Sequence, residues 1–338
     1  MSRNHGQDAL LELVRRFAGK RVLVVGDMVA DEYIVGAPMR VSREAPVLIL
    51  GQRDRYIVPG GATNSGVNAR SLGAEVYLAG VIGADTSGER LQSRLRHYGI
   101  HMDGLVVESS RPTSTKTRIL AGDAQLVQQQ VVRVDAIDDS DLSDACIHQI
   151  IVYLHEVIPT VDALILSDYE NGVISPDIIS TAIPLALEHK KVITVDAHGD
   201  LVRFQGATAL TPNQPEAEST LGMRITNRQS LETAGHTLLE KTNAHGVLIT
   251  RGAEGMSLFE EGERPLHLPA SNLTEVFDPT GAGDTVAATF TLALAAGGGM
   301  SEAAKLANIA AGLVVRRVGN ATNTPEELMA AVCAQAGG

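Results

Sequence analysis

The stretch of sequence best suited to chemistry is Asp-Pro-Thr-Gly-Ala-Gly-Asp-Thr, at residues 278–285. Gly281 and Gly283 allow the backbone to turn sharply and to approach a ligand with no Cβ atom in the way. The apolar residues that follow predict a helix, whose first N–H groups would be unpaired and would form an anion site. In the first turn of that helix, the Asp284 carboxylate would repel a phosphate but could take a proton from a hydroxyl that attacks phosphorus.

A simpler interpretation of this stretch is also open. Glycines commonly form the turn before a helix, and an acidic residue in the first helical turn complements the helix dipole. The stretch also differs from two common nucleotide-binding loops, because it is neither GxxxxGK[ST] nor GxGxxG. No GxGxxG follows the first predicted strand, so a dinucleotide-binding oxidoreductase is a poor alternative.

Six short apolar runs separated by helical patterns must provide the framework for such a site. This alternation predicts an α/β fold with a mostly parallel sheet. The runs occupy residues 20–27, 75–83, 162–169, 190–197, 206–213 and 245–252. Five runs end in or near a polar residue, namely Asp27, Asp168, Asp196, Asn213 and Arg251. Ligands of open α/β sheets bind beyond the carboxyl ends of the strands, so we expect these side chains along one edge.

Two segments interrupt the alternation and have strand periodicity with turn residues. Residues 31–58 and 112–134 are predicted to form β-hairpins that project from the main sheet as a lid. The lid would close over substrate and exclude water. Its open edge and partly apolar face would be covered by pairing with a second copy, which predicts a homodimer through the lid strands.

The composition excludes several classes of function. A net charge of −12 and an aromatic content of 3% argue against a nucleic-acid or anionic-membrane surface. The two cysteines, Cys146 and Cys333, form neither a disulfide framework nor a zinc motif. No signal peptide or membrane span is expected, which favours a cytoplasmic protein.

Two long stretches, residues 58–91 (VPGGATNSGVNARSLGAEVYLAGVIGADTSGERL) and residues 278–285, match the two signatures of one family. Shorter motifs follow in the order of that family: Gly26-Asp27, SDY at 167–169, NxxE at 213–216, TRGxxG at 250–255 and LANIAAG at 306–312. The chain thereby resembles the ribokinase/PfkB family of sugar kinases. The resemblance implies one domain over residues 1–338, a three-layer αβα sandwich with a mostly parallel central sheet and a small β-hairpin lid.

The resemblance implies transfer of the γ-phosphoryl group of ATP to a sugar hydroxyl. Asp284 is then the expected general base, and the backbone N–H groups of Gly281, Ala282 and Gly283 would stabilise the transferred phosphoryl group. The residues expected around the nucleotide are Asn213, Thr250, Gly252, Gly255 and Asn308. Asn213 could also be a plain helix cap, and Asn308 a polar residue on a helix face.

The resemblance further implies two cation sites. Glu216 would position Mg²⁺ through water, because Mg²⁺ keeps much of its hydration shell. Asp278 and Thr280 would bound a monovalent cation site for K⁺, together with backbone carbonyls near Gly319. Glu216 could instead be the third residue of an ordinary capping box that begins at Asn213.

The acceptor sugar is expected on the other side of Asp284. The contacts implied for its hydroxyl groups are Asp31, Gly60, Gly61 and Asn64. If the sugar already carries a phosphate, Lys116, Arg118 and Arg133 are the candidates for its charge, although they could equally be solvated charges at the lid edge. Asp168 could orient substrate or metal, or could merely cap a turn.

Within the family, the stretches RVSREAPV, TKTRIL, QLVQQQ, SDYENG and GATALTPN are most similar to the heptose 7-phosphate kinase domain of the bacterial ADP-heptose pathway. The expected acceptor is therefore heptose 7-phosphate, phosphorylated by a stand-alone 1-kinase. The chain differs from that subgroup at Asn171 and His198, which replace lysines. The alternatives are a kinase for an unphosphorylated sugar or a nucleoside, and a non-catalytic protein that binds a sugar or nucleotide.

Overall fold

The computed structural model describes residues 2–122, 129–271 and 278–335. Its strands are β1 Arg21–Gly26, β2 Met28–Val41, β3 Leu48–Gly61, β4 Glu75–Gly83, β5 His101–Glu108, β6 Ser114–Ala121, β7 Gln129–Ala136, β8 Ala163–Asp168, β9 Val192–Ala197, β10 Ala209–Leu210, β11 Gly246–Thr250, β12 Met256–Glu260 and β13 Leu266–Leu268. Part of the predicted 112–134 hairpin, and most of the stretch QLVQQQ, lies outside the described residues.

The α-helices are α1 Ser2–Arg15, α2 Ala62–Ser71, α3 Thr86–His97, α4 Asp144–Val157, α5 Pro176–Glu188, α6 Gln214–Leu221, α7 Arg228–Thr242, α8 Ala282–Ala295, α9 Met300–Val314 and α10 Pro325–Gln335. Short 3-10 helices occur at Ile158–Thr160, Leu201–Arg203 and Gly252–Glu254. None of the described helices is both long and apolar enough to span a bilayer.

The larger sheet has the strand order β13-β12-β11-β10-β9-β8-β1-β4-β5. The strands from β11 to β5 in this order pair in parallel, and β12 and β13 add to one edge in antiparallel orientation. The order places β1 and β8 side by side near the middle, so the loops that follow them lie next to each other. The predicted, mostly parallel α/β fold is confirmed.

The sheet lies between two helical layers because its strands are apolar on both faces. On β1, Val22 and Val24 pack in a cluster with residues of α2, α8 and α9. The alternate residues Leu23 and Val25 pack in a second cluster with residues of α4, α5 and α7. All four β1 side chains are fully buried. The helix α8, which carries Asp284, thus belongs to the first of the two layers.

The strand expected within residues 206–213 is much shorter than its apolar run. Only Ala209 and Leu210 pair with both neighbouring strands. Pro212 interrupts the ladder, because proline has no N–H to donate; its carbonyl still accepts from Thr250 N at 2.8 Å. This early end leaves Asn213 at the sheet edge, where it caps α6.

The smaller sheet has the order β3-β2-β6-β7. β2 pairs antiparallel with β3 and parallel with β6, and β6 pairs antiparallel with β7. This register places Asp31 opposite both Val58 and Lys116. Every residue of β7 is exposed. The exposed apolar residues of this sheet are Met39, Val41, Leu48, Val131, Val132 and Val134.

Candidate active site

The helix α8 begins at a glycine that no other residue could easily replace. Gly281 is the N-cap with φ +76°, in the left-handed region. A Cβ atom at this position would lie 2.7 Å from Asn64 Nδ2, which is closer than real contacts allow. At Gly283, by contrast, an added Cβ would meet nothing within 4 Å. The turn therefore needs Gly281 for its own geometry and leaves open space beside Gly283.

Asp284 lies in the first turn of α8 and is 4% exposed. Three described side chains donate hydrogen bonds to its carboxylate. Asn64 Nδ2 lies 2.6 Å from Oδ2, and Ser65 Oγ and Tyr169 Oη lie 2.9 Å and 3.0 Å from Oδ1. Asn64 and Ser65 come from α2, whereas Tyr169 follows β8. The carboxylate is thus fixed from two directions.

Burial raises the pKa of Asp284 to about 6, while the hydrogen bonds from Asn64, Ser65 and Tyr169 favour the charged form and limit that rise. Burial disfavours the charged form of a carboxyl group, and donors favour it. A pKa near 6 leaves Asp284 mostly ionised at neutral pH but more basic than an ordinary aspartate. This is the balance that a general base needs.

The raised pKa predicts the pH dependence of any reaction that uses Asp284 as a base. Because the base must be ionised, kcat/KM for the acceptor should fall as the pH drops through about 6. The charges that act on Asp284 from neighbouring elements are those of Asp31 and Asp196. Initial rates at low acceptor concentration between pH 5 and pH 8 measure this; a kcat/KM that stays constant down to pH 5 would contradict it.

A cavity of about 340 Å³ opens beside the start of α8. Ala282 and Gly283 line it on one side, and Thr250, Gly252, Gly255 and Asn308, all expected around the nucleotide, line it too. Asn308 Nδ2 donates to the Pro269 carbonyl at 2.8 Å. The lining is mostly apolar and includes the first residues of α8, which suits a ligand with a flat apolar part and an anionic part.

Asn213 and Glu216 form a reciprocal capping box at the start of α6. Glu216 Oε2 accepts from Asn213 N at 2.7 Å, and Glu216 Oε1 accepts from Asn213 Nδ2 at 2.6 Å. The backbone of Asn213 forms an isolated parallel β-bridge with Thr250, which lines the cavity. Burial raises the pKa of Glu216 to about 7, despite these hydrogen bonds. The cap and a site for a cation are therefore compatible at these residues.

The residues proposed for the acceptor sugar gather on the other side of Asp284. Asp31 Oδ1 pairs with Arg118 Nη1 at 2.5 Å, and its Oδ2 accepts from Asn320 Nδ2 at 2.7 Å. A Cβ atom at Gly60 would collide with the Asp31 carboxylate, and Gly61 has φ +54°. Gly60 therefore lets Asp31 approach the backbone of β3, whereas a Cβ atom at Gly61 would lie against Asp27 and Val29.

The three cations expected near an acceptor phosphate, Lys116, Arg118 and Arg133, differ in whether they form an ion pair. Lys116 Nζ lies over the Tyr169 ring, 5.1 Å from its centroid, and forms no ion pair with a described residue. Arg118 pairs with Asp31, whereas Arg133 pairs with Asp135 at the exposed surface. Lys116 is thus the cation among Lys116, Arg118 and Arg133 that forms no ion pair with a described carboxylate, although, after the hydrogen bond from Arg133, its charge also lowers the pKa of Asp135.

Tyr169 connects these groups, and its loop is held by a buried aspartate. Asp27, at the end of β1, accepts from the backbone N–H groups of Tyr169, Asn171 and Val173 at 2.7, 3.1 and 3.1 Å. The His198 ring lies 4.6 Å from the Tyr169 ring, and its Nδ1 lies 3.2 Å from Glu216 Oε1. Burial, followed by the nearby Lys116 charge, lowers the pKa of His198.

Asp168 lies next to this loop but is already engaged. It is 1% exposed, its Oδ1 accepts from Glu170 N at 3.0 Å, and its carboxylate pairs with Arg203. Asp278 is engaged in a similar way: its two oxygens accept from Thr280 N at 2.9 Å and from Gly319 N at 2.8 Å. Both carboxylates therefore organise the loops in which they lie.

Three residues at the site were not assigned a role from the sequence: Ser65, Tyr169 and Asn320. Ser65 follows Asn64 within a recognised signature, and Tyr169 belongs to the SDY motif. Both positions could therefore have been assigned to the site from the sequence. Asn320 lies in no such motif. It joins the site only because the turn after α9 places it against Asp31 and against the Pro59 carbonyl, at 2.8 Å.

A family model described as pfkB family carbohydrate kinase matches residues 20–327. Bifunctional protein HldE of Desulfatibacillum aliphaticivorans is 40% identical over 318 residues, which is 94% of this chain and 64% of that protein. Bifunctional protein HldE of Geobacter sulfurreducens is 39% identical over 316 residues, 93% of this chain and 63% of that protein. The chain thus spans slightly less than two thirds of these relatives.

Solved structures share the fold. Arabidopsis thaliana ribokinase complexed with ribose and ATP aligns with a TM-score of 0.72 at 21% identity, over 93% of this chain and 99% of that one. Escherichia coli phosphofructokinase-2 in complex with fructose-6-phosphate aligns with a TM-score of 0.74 at 17% identity, over 94% and 99%. At these identities the likeness concerns the architecture alone.

Proposed function

The chain belongs to the pfkB family of carbohydrate kinases, and from that premise we propose that Asp284 is the general base for transfer of the γ-phosphoryl group of ATP to a hydroxyl of heptose 7-phosphate. The observation that carries the proposal is the position of Asp284. It lies between a cavity suited to a nucleotide and a group of polar side chains suited to a sugar.

The hydrogen bonds of Asp284 indicate where the sugar hydroxyl would bind. An ionised carboxylate offers about four acceptor positions, and three are taken by the described donors. Oδ1 accepts from two of them, whereas Oδ2 accepts only from Asn64. The free position is therefore on Oδ2. A hydroxyl bound there would transfer its proton to Oδ2 while its oxygen attacks phosphorus.

The groups that would hold ATP lie on the other side. The cavity walls, with Thr250, Gly252, Gly255 and Asn308, would take the nucleoside, and the N–H groups at the start of α8 would face the phosphates. Ala282 N already donates to the Pro279 carbonyl at 3.2 Å, which leaves Gly283 as the better donor in this turn. Such donors would stabilise the negative charge of the transferred phosphoryl group.

Mg²⁺, which kinases of this family use, fits the carboxylates at this edge. Burial raises the pKa of Asp196 well above its usual range, and the charges of Asp284 and Glu216 add to the rise. A cation would relieve this repulsion. Among the described residues no three such side chains are close enough to hold an ion by themselves, and Mg²⁺ usually takes one or two carboxylates with substrate phosphates and water. We propose Glu216 as its protein contact and the Asp278–Thr280 turn as a K⁺ site.

The choice of a phosphorylated acceptor depends on Lys116. Its ammonium group is unpaired among the described residues and lies over the ring of Tyr169, whose hydroxyl group contacts Asp284. An anionic group of the acceptor could therefore bind Lys116 while a hydroxyl of the same molecule reached Asp284. The resemblance to the heptose 7-phosphate kinase subgroup, and the 40% identity with bifunctional protein HldE, support the same choice.

Lys116→Met should raise the KM for heptose 7-phosphate about 10- to 100-fold, because a hydrogen bond to a charged group contributes about 1.5–3 kcal/mol. The KM for ATP should not change. Arg133→Gln is the matched comparison, since Arg133 is already paired with Asp135 and should matter less. Steady-state kinetics measure both. Equal effects of the two substitutions, or none, would contradict the role of Lys116.

A kinase for an unphosphorylated sugar or a nucleoside is the second candidate. The observation that favours it is charge neutralisation: Arg118 and Arg133 both pair with carboxylates, and Asn171 replaces a lysine of the heptose kinase pattern. Release of ADP from Mg-ATP across a panel of sugars, sugar phosphates and nucleosides distinguishes the two. Turnover with unphosphorylated acceptors alone would favour this candidate.

We also propose that two copies of the chain pair through the smaller sheet. β7 is exposed along its whole length, and Val131, Val132 and Val134 are 52%, 43% and 55% exposed. Light scattering should give twice the chain mass of 35.7 kDa at micromolar concentration. Val132→Lys should shift the mass towards that of one chain, because a charge in an apolar interface is costly. A wild-type protein that scatters as a single chain would contradict the pairing.

A further inference from the structure

The buried side of Asn64 carries a second pair of polar side chains, Asn68 and Thr285. Asn68 is 1% exposed and Thr285 is fully buried. Asn68 Nδ2 lies 3.0 Å from the backbone carbonyl of Asn64 and 3.2 Å from Asn64 Oδ1. Thr285 Oγ1 lies 2.8 Å from Asn68 Oδ1 and 3.1 Å from the Gly281 carbonyl. Asp284, Asn64, Asn68 and Thr285 therefore form a continuous series of hydrogen bonds that runs from α8 to α2 and back to α8.

The direction of every hydrogen bond in this series is determined. The Asn64 backbone carbonyl can only accept, so Asn68 must point its NH₂ group towards Asn64 and its Oδ1 towards Thr285. Thr285 then donates to Asn68. The second N–H of Asn68 faces Asn64 Oδ1, which leaves Asn64 Nδ2 directed at the Asp284 carboxylate. The opposite orientation of either amide would place like groups against each other.

We propose that Asn68 and Thr285 are positioning residues that fix the side-chain amide of Asn64 so that it donates to Asp284 in every state of the reaction. The inference rests on the proposed role of Asp284 as the base. Once Asp284 has taken a proton, an unsupported Asn64 amide could rotate and present its oxygen instead. The two buried residues hold it in place, so the base is restored to the same geometry after each turnover.

The Thr285 hydroxyl also reaches the Gly281 carbonyl, but Asn68 Oδ1 is the nearer of its two acceptors. Asn68 and Thr285 do not line the nucleotide cavity and do not contact the proposed acceptor residues Asp31 or Lys116. Both are buried, where a polar group is costly unless it is hydrogen-bonded. Asn68 and Thr285 are therefore two buried polar residues placed next to Asn64, the side chain that donates to the proposed base Asp284.

Thr285→Val tests the proposal, because valine has the shape of threonine without the hydroxyl group. It should lower kcat about tenfold through a misplaced base, with an unchanged KM for ATP. Without the support of Thr285, the Asn64 amide would donate less well to Asp284. Because donors favour the charged form of Asp284, the acid limb of the kcat–pH profile should move to higher pH. Thr285→Ser, which keeps the hydroxyl group, should recover most of the loss. Asp31, Asp196 and Tyr169 also act on Asp284 but are untouched by these changes.

Thr289→Val is the matched control. Thr289 lies one turn further along α8, is fully buried, and its Oγ1 has no hydrogen-bond partner among the described residues. The same chemical change there should leave kcat and its pH profile as in the wild type. The proposal is overturned if Thr285→Val and Thr289→Val behave alike. It is also overturned if Thr285→Val lowers kcat without moving the acid limb, which a general loss of packing would do.

Asn68→Leu provides a second route to the same result. It removes both donors to Asn64 and should reduce kcat more than Thr285→Val does, with a shift of the acid limb in the same direction. Thermal unfolding of each variant identifies any that do not fold. Failure of the proposed function looks different: Asp284→Asn would then retain activity, whereas failure of this inference leaves Asp284 essential and Thr285→Val indistinguishable from Thr289→Val.

Discussion

Asp284→Asn is expected to lower kcat by about a thousandfold, which lies within the usual range for loss of a general base. Asparagine cannot take the proton of the sugar hydroxyl at Oδ2. The KM for ATP should change little, because the cavity proposed for the nucleotide is lined by Ala282 and Gly283 and not by Asp284. Steady-state rates of ADP release with a saturating acceptor measure the effect, and turnover within tenfold of the wild type would contradict the role of Asp284.

Thermal unfolding separates loss of the base from damage to the site. In Asp284→Asn the amide can keep its oxygen facing Asn64 Nδ2 and point its NH₂ group at the hydroxyl groups of Ser65 and Tyr169, which can also accept. The variant should therefore unfold close to the wild-type temperature while its kcat falls. An unfolding temperature far below that of the wild type would mean that the loss of activity comes from a damaged site.

Gly281→Ala should have the second largest effect, a loss of about a hundredfold in kcat, because small displacements of catalytic groups cost rates of that order. The added Cβ would lie 2.7 Å from Asn64 Nδ2 and must displace the amide that donates to Asp284. It would also disturb the turn that presents the first N–H groups of α8. The loss should appear in kcat at saturating ATP and acceptor.

Gly19→Ala is the control for backbone strain. Gly19 has φ +75°, nearly the +76° of Gly281, but a Cβ there would meet nothing within 4 Å. Both substitutions should cost about 1–2 kcal/mol of stability for a left-handed conformation. Only Gly281→Ala should lose activity. Chemical denaturation and steady-state kinetics of the two proteins measure this; a similar loss of kcat in both, or in neither, would mean that contact with Asn64 is unimportant.

Much of the architecture could be predicted from the sequence, because strands buried on both faces appear as short continuous runs of apolar residues. The run at 75–83 coincides with β4, and those at 20–27 and 162–169 contain β1 and β8. β10 was the exception, since Pro212 ends its pairing after two residues. The antiparallel edge strands β12 and β13 were not singled out. Their short runs carry little periodicity, and their places depend on pairing with β11.

The candidate site could be predicted where motifs carried it and not where it depends on tertiary contacts. Asp284 and Gly281 stand out by residue type and spacing. The contact between Asn64 and Asp284 spans 220 residues and could not be read from either motif alone. The sequence assigned Asn64 to the sugar, whereas its Nδ2 donates to Asp284. Asn320 was missed for the same physical reason, because only the folded chain places it beside Asp31.

Some charged residues could be placed but not paired from the sequence. Lys116, Arg118 and Arg133 were all expected near an acceptor phosphate as one group. In the folded chain, Arg118 is partly buried against Asp31, Arg133 is paired at the surface, and Lys116 lies over an aromatic ring. The register alone would not give these pairs, because it places Lys116 opposite both Asp31 and Asp135. The ion pairs instead join residues that are displaced by two positions along the strands.

Phosphorus NMR of the wild-type protein with Mg-ATP and heptose 7-phosphate tests most directly whether this site transfers a phosphoryl group to a sugar hydroxyl. The expected result is a new sugar phosphoester signal that grows in equal amount with ADP, without inorganic phosphate, and that is nearly absent with Asp284→Asn. ATP that stays intact with every acceptor of the panel, or a phosphoester formed equally well by Asp284→Asn, would contradict it.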